Sequence, residues 1–214
     1  MQKAKREVLL RLFCVVRVLF AVTLLFLLPL LAKVCFIYCM ILVISGTNRP
    51  NSRARLVANL YGQLLTELAV EHQLLDLVEL PADTLVSALY GNTGKQPTFN
   101  RLIAQTEAAD KLVMIVPEYN CSIPGALKTF IDGLPYSGGI RGKKAALVGL
   151  GTGTQGGSLA LSHLTDILMY LGTTVLPTRV RLPLIDQYLT TEGTLDYHLY
   201  VQLLREQAAQ LAAM

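Results

Sequence analysis

Cysteine, histidine and charge are all in short supply: 214 residues hold four Cys, three His and only 16% Asp, Glu, Lys and Arg. The cysteines stand at 14, 35, 39 and 121, three in an apolar leader and one in a predicted loop. This excludes an internal disulfide framework, and a body with a single Cys suits a reducing compartment. Cys35 and Cys39 have helical i, i+4 spacing, but no His or further Cys lies nearby to complete a tetrahedral metal site. They read as small apolar residues. His72, His163 and His198 have no acidic or nucleophilic residue at a telling spacing and read as surface or packing residues. A basic stripe is missing too. Residues 1–39 carry Lys3, Lys5, Arg6, Arg11, Arg17 and Lys33 against Glu7, a balance of +5, which leaves −1 of the net +4 for residues 40–214. A near-neutral body has no electrostatic footprint for DNA or RNA, so no nucleic-acid partner is expected.

What is abundant is apolar sequence, 52% of the chain, enough for one sizeable core plus an appendage. The stretch Ile41-Leu42-Val43-Ile44-Ser45-Gly46-Thr47-Asn48-Arg49-Pro50-Asn51-Ser52 runs apolar until Gly46 and then turns to hydroxyls, amides and one guanidinium. It reads as a buried strand feeding a phosphate-binding turn. The helical pattern Leu56, Ala58, Leu60, Leu64, Leu65, Leu68 begins just after Ser52, which puts the turn at a helix N-terminus. Free N–H groups and the positive end of the helix dipole favour an anion there. Thr47 and Ser52 add hydroxyls, and Arg49 adds a charge-assisted contact. The alternative is plainer: Ser52 as an N-cap only and Arg49 as a solvated side chain.

Beyond this turn the chain alternates, with helices predicted over 53–69, 99–109, 125–134, 158–171 and 195–213. The intervening strands are predicted over 73–77, 111–116, 145–150 and 173–177. Residues 82–98 are mixed, and Gly91-Asn92-Thr93-Gly94-Lys95 lacks the spacing and terminal hydroxyl of a nucleotide P-loop. Five strands, mostly continuous apolar runs, mean an α/β fold with a parallel sheet covered on both faces. Right-handed crossovers make it a three-layer sandwich. Ligands of such sheets sit at the carboxyl ends of the strands, and the loops 46–52, 117–122 and 151–157 all follow strands.

The second loop opens Pro117-Glu118-Tyr119-Asn120-Cys121-Ser122-Ile123-Pro124-Gly125-Ala126-Leu127-Lys128. Its two prolines fix backbone dihedrals and present main-chain groups in set positions, useful for reading the edge of a planar heterocycle. Alternatively it is a rigid connection in which Ser122 caps the helix. The third, Gly151-Thr152-Gly153-Thr154-Gln155-Gly156-Gly157, lets backbone approach a ligand without intervening Cβ atoms. It matches GxGxxG, but it follows the fourth strand rather than the first and no acidic residue lies about 20 positions on to hold a ribose, so a Rossmann site is rejected.

In this order and spacing, the three segments resemble the NADPH-dependent FMN reductase family of flavodoxin-like proteins, over residues 40–177. The resemblance implies a five-stranded parallel sheet in order 2-1-3-4-5, non-covalent FMN, and a homodimer or homotetramer. By position, it implies that Thr47, Arg49 and Ser52 hold the FMN phosphate. Pro117, Glu118, Tyr119 and Asn120 would line the isoalloxazine ring, and Gly151, Thr152 and Gly153 would close the other side. The implied activity passes a hydride from NADPH through FMN to a small acceptor (flavin, quinone or azo compound) by a ping-pong cycle that needs no side-chain acid or base. Thr47 stands where Ser is more usual and keeps the hydroxyl; Cys121 stands where Gly is frequent and reads as a tolerated small residue.

Two rival readings use the same fold. A flavodoxin-like electron carrier would show a strongly acidic face, which a body charge of −1 does not supply. A membrane-tethered FMN-binding redox protein needs residues 1–39 inserted with the body inside. Those residues have a basic start and an apolar run over 12–32 broken by Arg17 and Pro29. Arg17 within a span costs about 2.5–3.5 kcal/mol, and the cluster at Lys3, Lys5, Arg6 and Arg11 would send the body outward, away from soluble NADPH. Residues 1–39 are thus read three ways: a membrane segment, an upstream extension before a natural start at Met40, or a helix packed on the body. The expected localisation is cytoplasmic, with membrane association if residues 1–39 insert.

Overall fold

The chain divides after Tyr38, and a computed structural model describes residues 39–136 and 138–214. The three readings of residues 1–39 therefore fall, apart from Cys39, outside the described residues. Among the described residues no helix is long and apolar enough to cross a membrane.

From the first strand the elements are β1 (Ile41–Ser45), α1 (Arg53–Glu67), β2 (His72–Asp76), α2 (Thr84–Ser87), α3 (Pro97–Ala108), β3 (Lys111–Pro117) and α4 (Gly125–Asp132). They continue with β4 (Lys144–Leu150), α5 (Ser158–Tyr170), β5 (Thr174–Val175), β6 (Val180–Leu182), α6 (Ile185–Tyr188) and α7 (His198–Ala213). The sheet runs β2-β1-β3-β4-β5, as expected, and a sixth strand, β6, is attached to β4. Every pairing is parallel.

Alternation within each apolar run explains the layers, because successive strand side chains point to opposite faces. Ile41, Val43, Val113, Ile115, Ala146 and Val148 pack with α1 and α7 through Val57, Tyr61, Leu65, Leu204, Ala208 and Leu211. Their neighbours Leu42, Ile44, Leu112, Met114, Ala145 and Leu147 pack with α3, α4 and α5 through Phe99, Leu102, Phe130, Leu164 and Leu168. Neither face is left for water, so β1, β3 and most of β4 read as unbroken hydrophobic stretches.

The one departure is at the sheet edge. Of the last strand, predicted over 173–177, two residues form β5, paired with Lys144 and Ala145, and an unpredicted strand, β6, pairs with Val148, Gly149 and Leu150. Pro177 has no N–H to donate, and the chain bows away before Val180 returns. At this interruption a fully buried side chain from α7, Gln207, reaches the sheet edge. Gln207 Nε2 donates to Leu147 O at 3.0 Å and to Thr178 O at 2.8 Å. Its Oε1 accepts from Tyr61 Oη at 3.3 Å, and burial pushes the Tyr61 phenol pKa up. The end of α7 is tied as well: Lys111 Nζ donates to Ala212 O at 2.8 Å, a cation at the negative end of the helix dipole.

Replacing Gln207 with Leu keeps the volume but removes the partner of the buried Tyr61 phenol, the side-chain bond to the part-buried Thr178 carbonyl and a bond to Leu147 O. Each unsatisfied buried group costs about 1–3 kcal/mol, so urea unfolding of Gln207→Leu should show a midpoint lowered by about 2–4 kcal/mol of stability at unchanged slope. An unchanged midpoint would show that the sheet edge does not need this side chain.

Candidate functional site

Parallel registry puts the ends of β1, β3 and β4 side by side, with Ser45 opposite Ile115 and Pro117 opposite Leu150. The chain leaves β1 toward β2 on one side and returns to β3 on the other, so a crevice opens at their carboxyl ends. Gly46 closes the floor. Its N–H donates to Ile115 O at 2.9 Å, and a Cβ there would stand 2.8 Å from the same oxygen.

The first loop rises from this floor into α1. Thr47 is fully buried; its hydroxyl bonds Tyr119 Oη at 2.9 Å and accepts the Arg49 N–H at 3.3 Å. Asn51 takes a left-handed φ of 52°, which Asn tolerates and which turns the chain into the helix. Ser52 is an N-cap, accepting from Arg55 N at 3.1 Å, and its hydroxyl proton remains to donate. The N–H groups of Arg53 and Ala54 have no acceptor among the described residues. Three cations surround this helix start, and two are committed. Arg53 pairs with Asp186, and Arg55 pairs with Asp76 at 2.8 Å. Arg49 is exposed and, among the described residues, its guanidinium has no partner.

The second loop is held at both ends. Glu118 N–H donates across to Leu150 O at 3.0 Å, and Tyr119 and Ser122 exchange backbone bonds at 2.9 and 3.0 Å. Asn120 and Cys121 form the tip with φ of 50° and 61°. Two successive left-handed residues are what a tight hairpin turn demands, and this is why Gly suits the position of Cys121. Ser122 does not cap α4: the N-cap is Pro124 with no side-chain bond, and Ser122 Oγ instead meets His163 Nδ1 on α5 at 2.9 Å. His163, read from sequence as a surface or packing residue, is exposed and moors the loop from α5. The signal was invisible because 41 residues separate the partners.

In the third loop the glycines divide into two kinds. A Cβ on Gly156 would lie 2.6 Å from Pro183 N, and one on Gly157 would lie 2.9 Å from Gly149 Cα, so these two serve close packing. Gly151 and Gly153 differ: a Cβ on Gly151 meets nothing nearer than 3.7 Å, and one on Gly153 meets nothing within 4 Å. Gly151 and Gly153 are tied to the chain after β6, Gly151 O accepting from Ile185 N at 3.1 Å and Gly153 O from Leu184 N at 3.0 Å.

All three loops border one cleft of about 510 Å³. Arg49, Ser52, Pro117, Glu118, Tyr119, Gly151 and Thr152 line it, whereas Thr47 lies behind Tyr119 and Asn120 and Gly153 stand outside the lining. Sequence reasoning missed Arg53, Ala54 and Ile185, which also line it. For Arg53 and Ala54 the signal was the helix start itself. Among the described residues Glu118 Oε2 is buried without a hydrogen-bond partner, an acceptor left open to a donor from outside the chain. The donor set suits FMN. An uncommitted guanidinium and open N–H groups at a helix start match a phosphate, and the bare Cα of Gly151 leaves room for a flat ring.

Comparison with known proteins agrees with this chemistry. The NADPH-dependent FMN reductase family model matches residues 39–184. The chain is 33% identical over 135 residues to a 2-hydroxy-1,4-benzoquinone reductase from a Burkholderia species, covering 61% of this chain and 70% of that protein. It is 39% identical over 80 residues to an NAD(P)H-dependent FMN reductase from Pseudomonas aeruginosa, 36% of this chain and under half, 43%, of that protein. Among solved structures it resembles a flavoenzyme NAD(P)H:(acceptor) oxidoreductase from Paracoccus denitrificans, with TM-score 0.67, 25% identity, and 82% and 96% of the two chains covered. The family match takes in the sheet, all three loops and the cleft they enclose: the chain is an oxidoreductase of flavodoxin-like fold and belongs to the NADPH-dependent FMN reductase family.

Proposed function

We propose that the chain binds FMN non-covalently in the three-loop cleft and uses NADPH to reduce a small acceptor, a quinone, free flavin or azo compound, in a ping-pong cycle. The observation that carries this reading is the convergence of an anion-ready helix start and a side-chain-free glycine in the lining of one cleft. Bound FMN would supply the hydride chemistry, taking reducing equivalents from NADPH and releasing them to the second substrate.

The protein's share is placement. Arg49, the Ser52 hydroxyl and the N–H groups of Arg53 and Ala54 hold the phosphate at the positive end of α1. Thr47 acts through Tyr119, fixing the phenol by the 2.9 Å hydroxyl bond so that the ring wall formed by Pro117, Glu118 and Tyr119 does not shift. Asn120 stays at the tip of that wall, and Gly151 and Thr152 face it across the cleft while Gly153 holds their loop to Leu184. The homodimer or homotetramer implied by the family is proposed here as well; exposed Tyr136, Met169 and Tyr170 offer apolar surface for a second copy.

Removing the uncommitted cation should be felt directly. Hydrogen bonds to charged groups contribute about 1.5–3 kcal/mol, so Arg49→Ala should weaken FMN binding by about 10- to 100-fold with an unchanged circular dichroism spectrum. Equal affinity in both proteins would place the phosphate elsewhere. Initial rates with NADPH varied at several benzoquinone concentrations should give parallel double-reciprocal lines. Intersecting lines would contradict the two-stage cycle.

A further inference from the structure

The phosphate loop has two open sides. One faces the three-loop cleft; the other faces a second cleft of about 590 Å³, and Pro50, Asn51, Ser52 and Arg53 belong to both. An anion at the start of α1 therefore sits on a threshold between two cavities of similar size. FMN would occupy only one of them, because its ester ends at the phosphate.

The second cleft is not a bare groove. Its floor is the ion pair of Arg55 with Asp76, whose carboxylate is only 10% exposed and also accepts the Val78 N–H at 3.2 Å. Arg55 Nε is held in turn by Asn59 Oδ1 at 3.1 Å, so the guanidinium is fixed. Apolar walls come from Leu56, Val78 and Leu189, and hydroxyls come from Thr190 and Thr191. Val78 is a β-branched apolar side chain left 43% exposed at this wall. Cations beside the phosphate loop, the apolar side chains of Leu56, Val78 and Leu189 and the hydroxyls of Thr190 and Thr191 are the groups that a second phosphate, an adenine and the ribose joining them would meet.

We propose that this far cleft receives the adenylate half of FAD, so that the chain takes FAD as well as FMN with the flavin end in the same place. The inference rests on the reading that residues 47–52 hold the flavin phosphate. The second phosphate takes the guanidinium donors that Arg53 and Arg55 keep beyond their pairs with Asp186 and Asp76, and the adenine lies between Val78 and Leu189. The same adenosine diphosphate chemistry occurs in NADPH, and the two sources are told apart by which ligand's binding the far-cleft substitutions weaken.

Val78→Glu and Thr191→Trp change exposed residues that line only the far cleft, so folding and FMN contacts are untouched. The full chain, stripped of flavin, is titrated by calorimetry with FMN and separately with FAD. Wild type should bind FAD within about tenfold of FMN, and each variant should lose about tenfold or more in FAD affinity while FMN affinity stays within about twofold. FMN binding without FAD binding, or FAD affinity unmoved by both substitutions, overturns the proposal and leaves the FMN reading standing. A raised KM for NADPH in the FMN-loaded variants, with FAD affinity unchanged, overturns it in favour of the reductant. Failure of both flavins to bind wild type overturns the phosphate-loop reading and this inference with it.

Discussion

The in-register parallel pairing of β1, β3 and β4 is the constraint on which the rest depends. Ser45 against Ile115 and Pro117 against Leu150 bring three strand ends to one line, and helices on both faces leave that line as the place where polar loops can meet. The loops are then tied to one another rather than left to solvent. Thr47 holds Tyr119, Glu118 holds Leu150, Ser122 holds His163, and Gly151 and Gly153 hold the chain at 184–185. A cleft built this way is set before any ligand arrives, which lowers the ordering cost of binding one.

Charge is distributed with the same economy. Around the start of α1, Arg53 and Arg55 are neutralised by Asp186 and Asp76, each brought from a distant part of the chain. Among the described residues Arg49 is left with its charge uncommitted, on the loop where an anion gains most from the helix dipole. Glu118, with its unpartnered oxygen, lines the same cleft. Ser45 Oγ and Ser87 Oγ are likewise buried without a partner among the described residues, and of these three side chains Glu118 is the one that lines the cleft.

Most of the fold was legible because strands buried on both faces write themselves as apolar runs, and β1, β3 and β4 lie within a residue or so of their expected spans. β6 escaped notice since Val180-Arg181-Leu182 is a three-residue alternation between two prolines, too short for periodicity to register. The candidate site was legible as segments but not as contacts. That Ser122 bonds His163 rather than capping α4, or that Gly156 and Gly157 pack while Gly151 stays open, depends on partners far away in sequence. Cys121 is a middle case: its departure from Gly was visible, but its left-handed φ of 61° gives the reason.

The measurement that tests the central claim most directly is the visible absorption spectrum of the purified full-length chain reconstituted with FMN, taken anaerobically before and after NADPH. Bound FMN that bleaches on adding NADPH and recovers its colour with benzoquinone is the predicted result. A chain that retains no FMN, or holds FMN that NADPH leaves unchanged, would contradict the account.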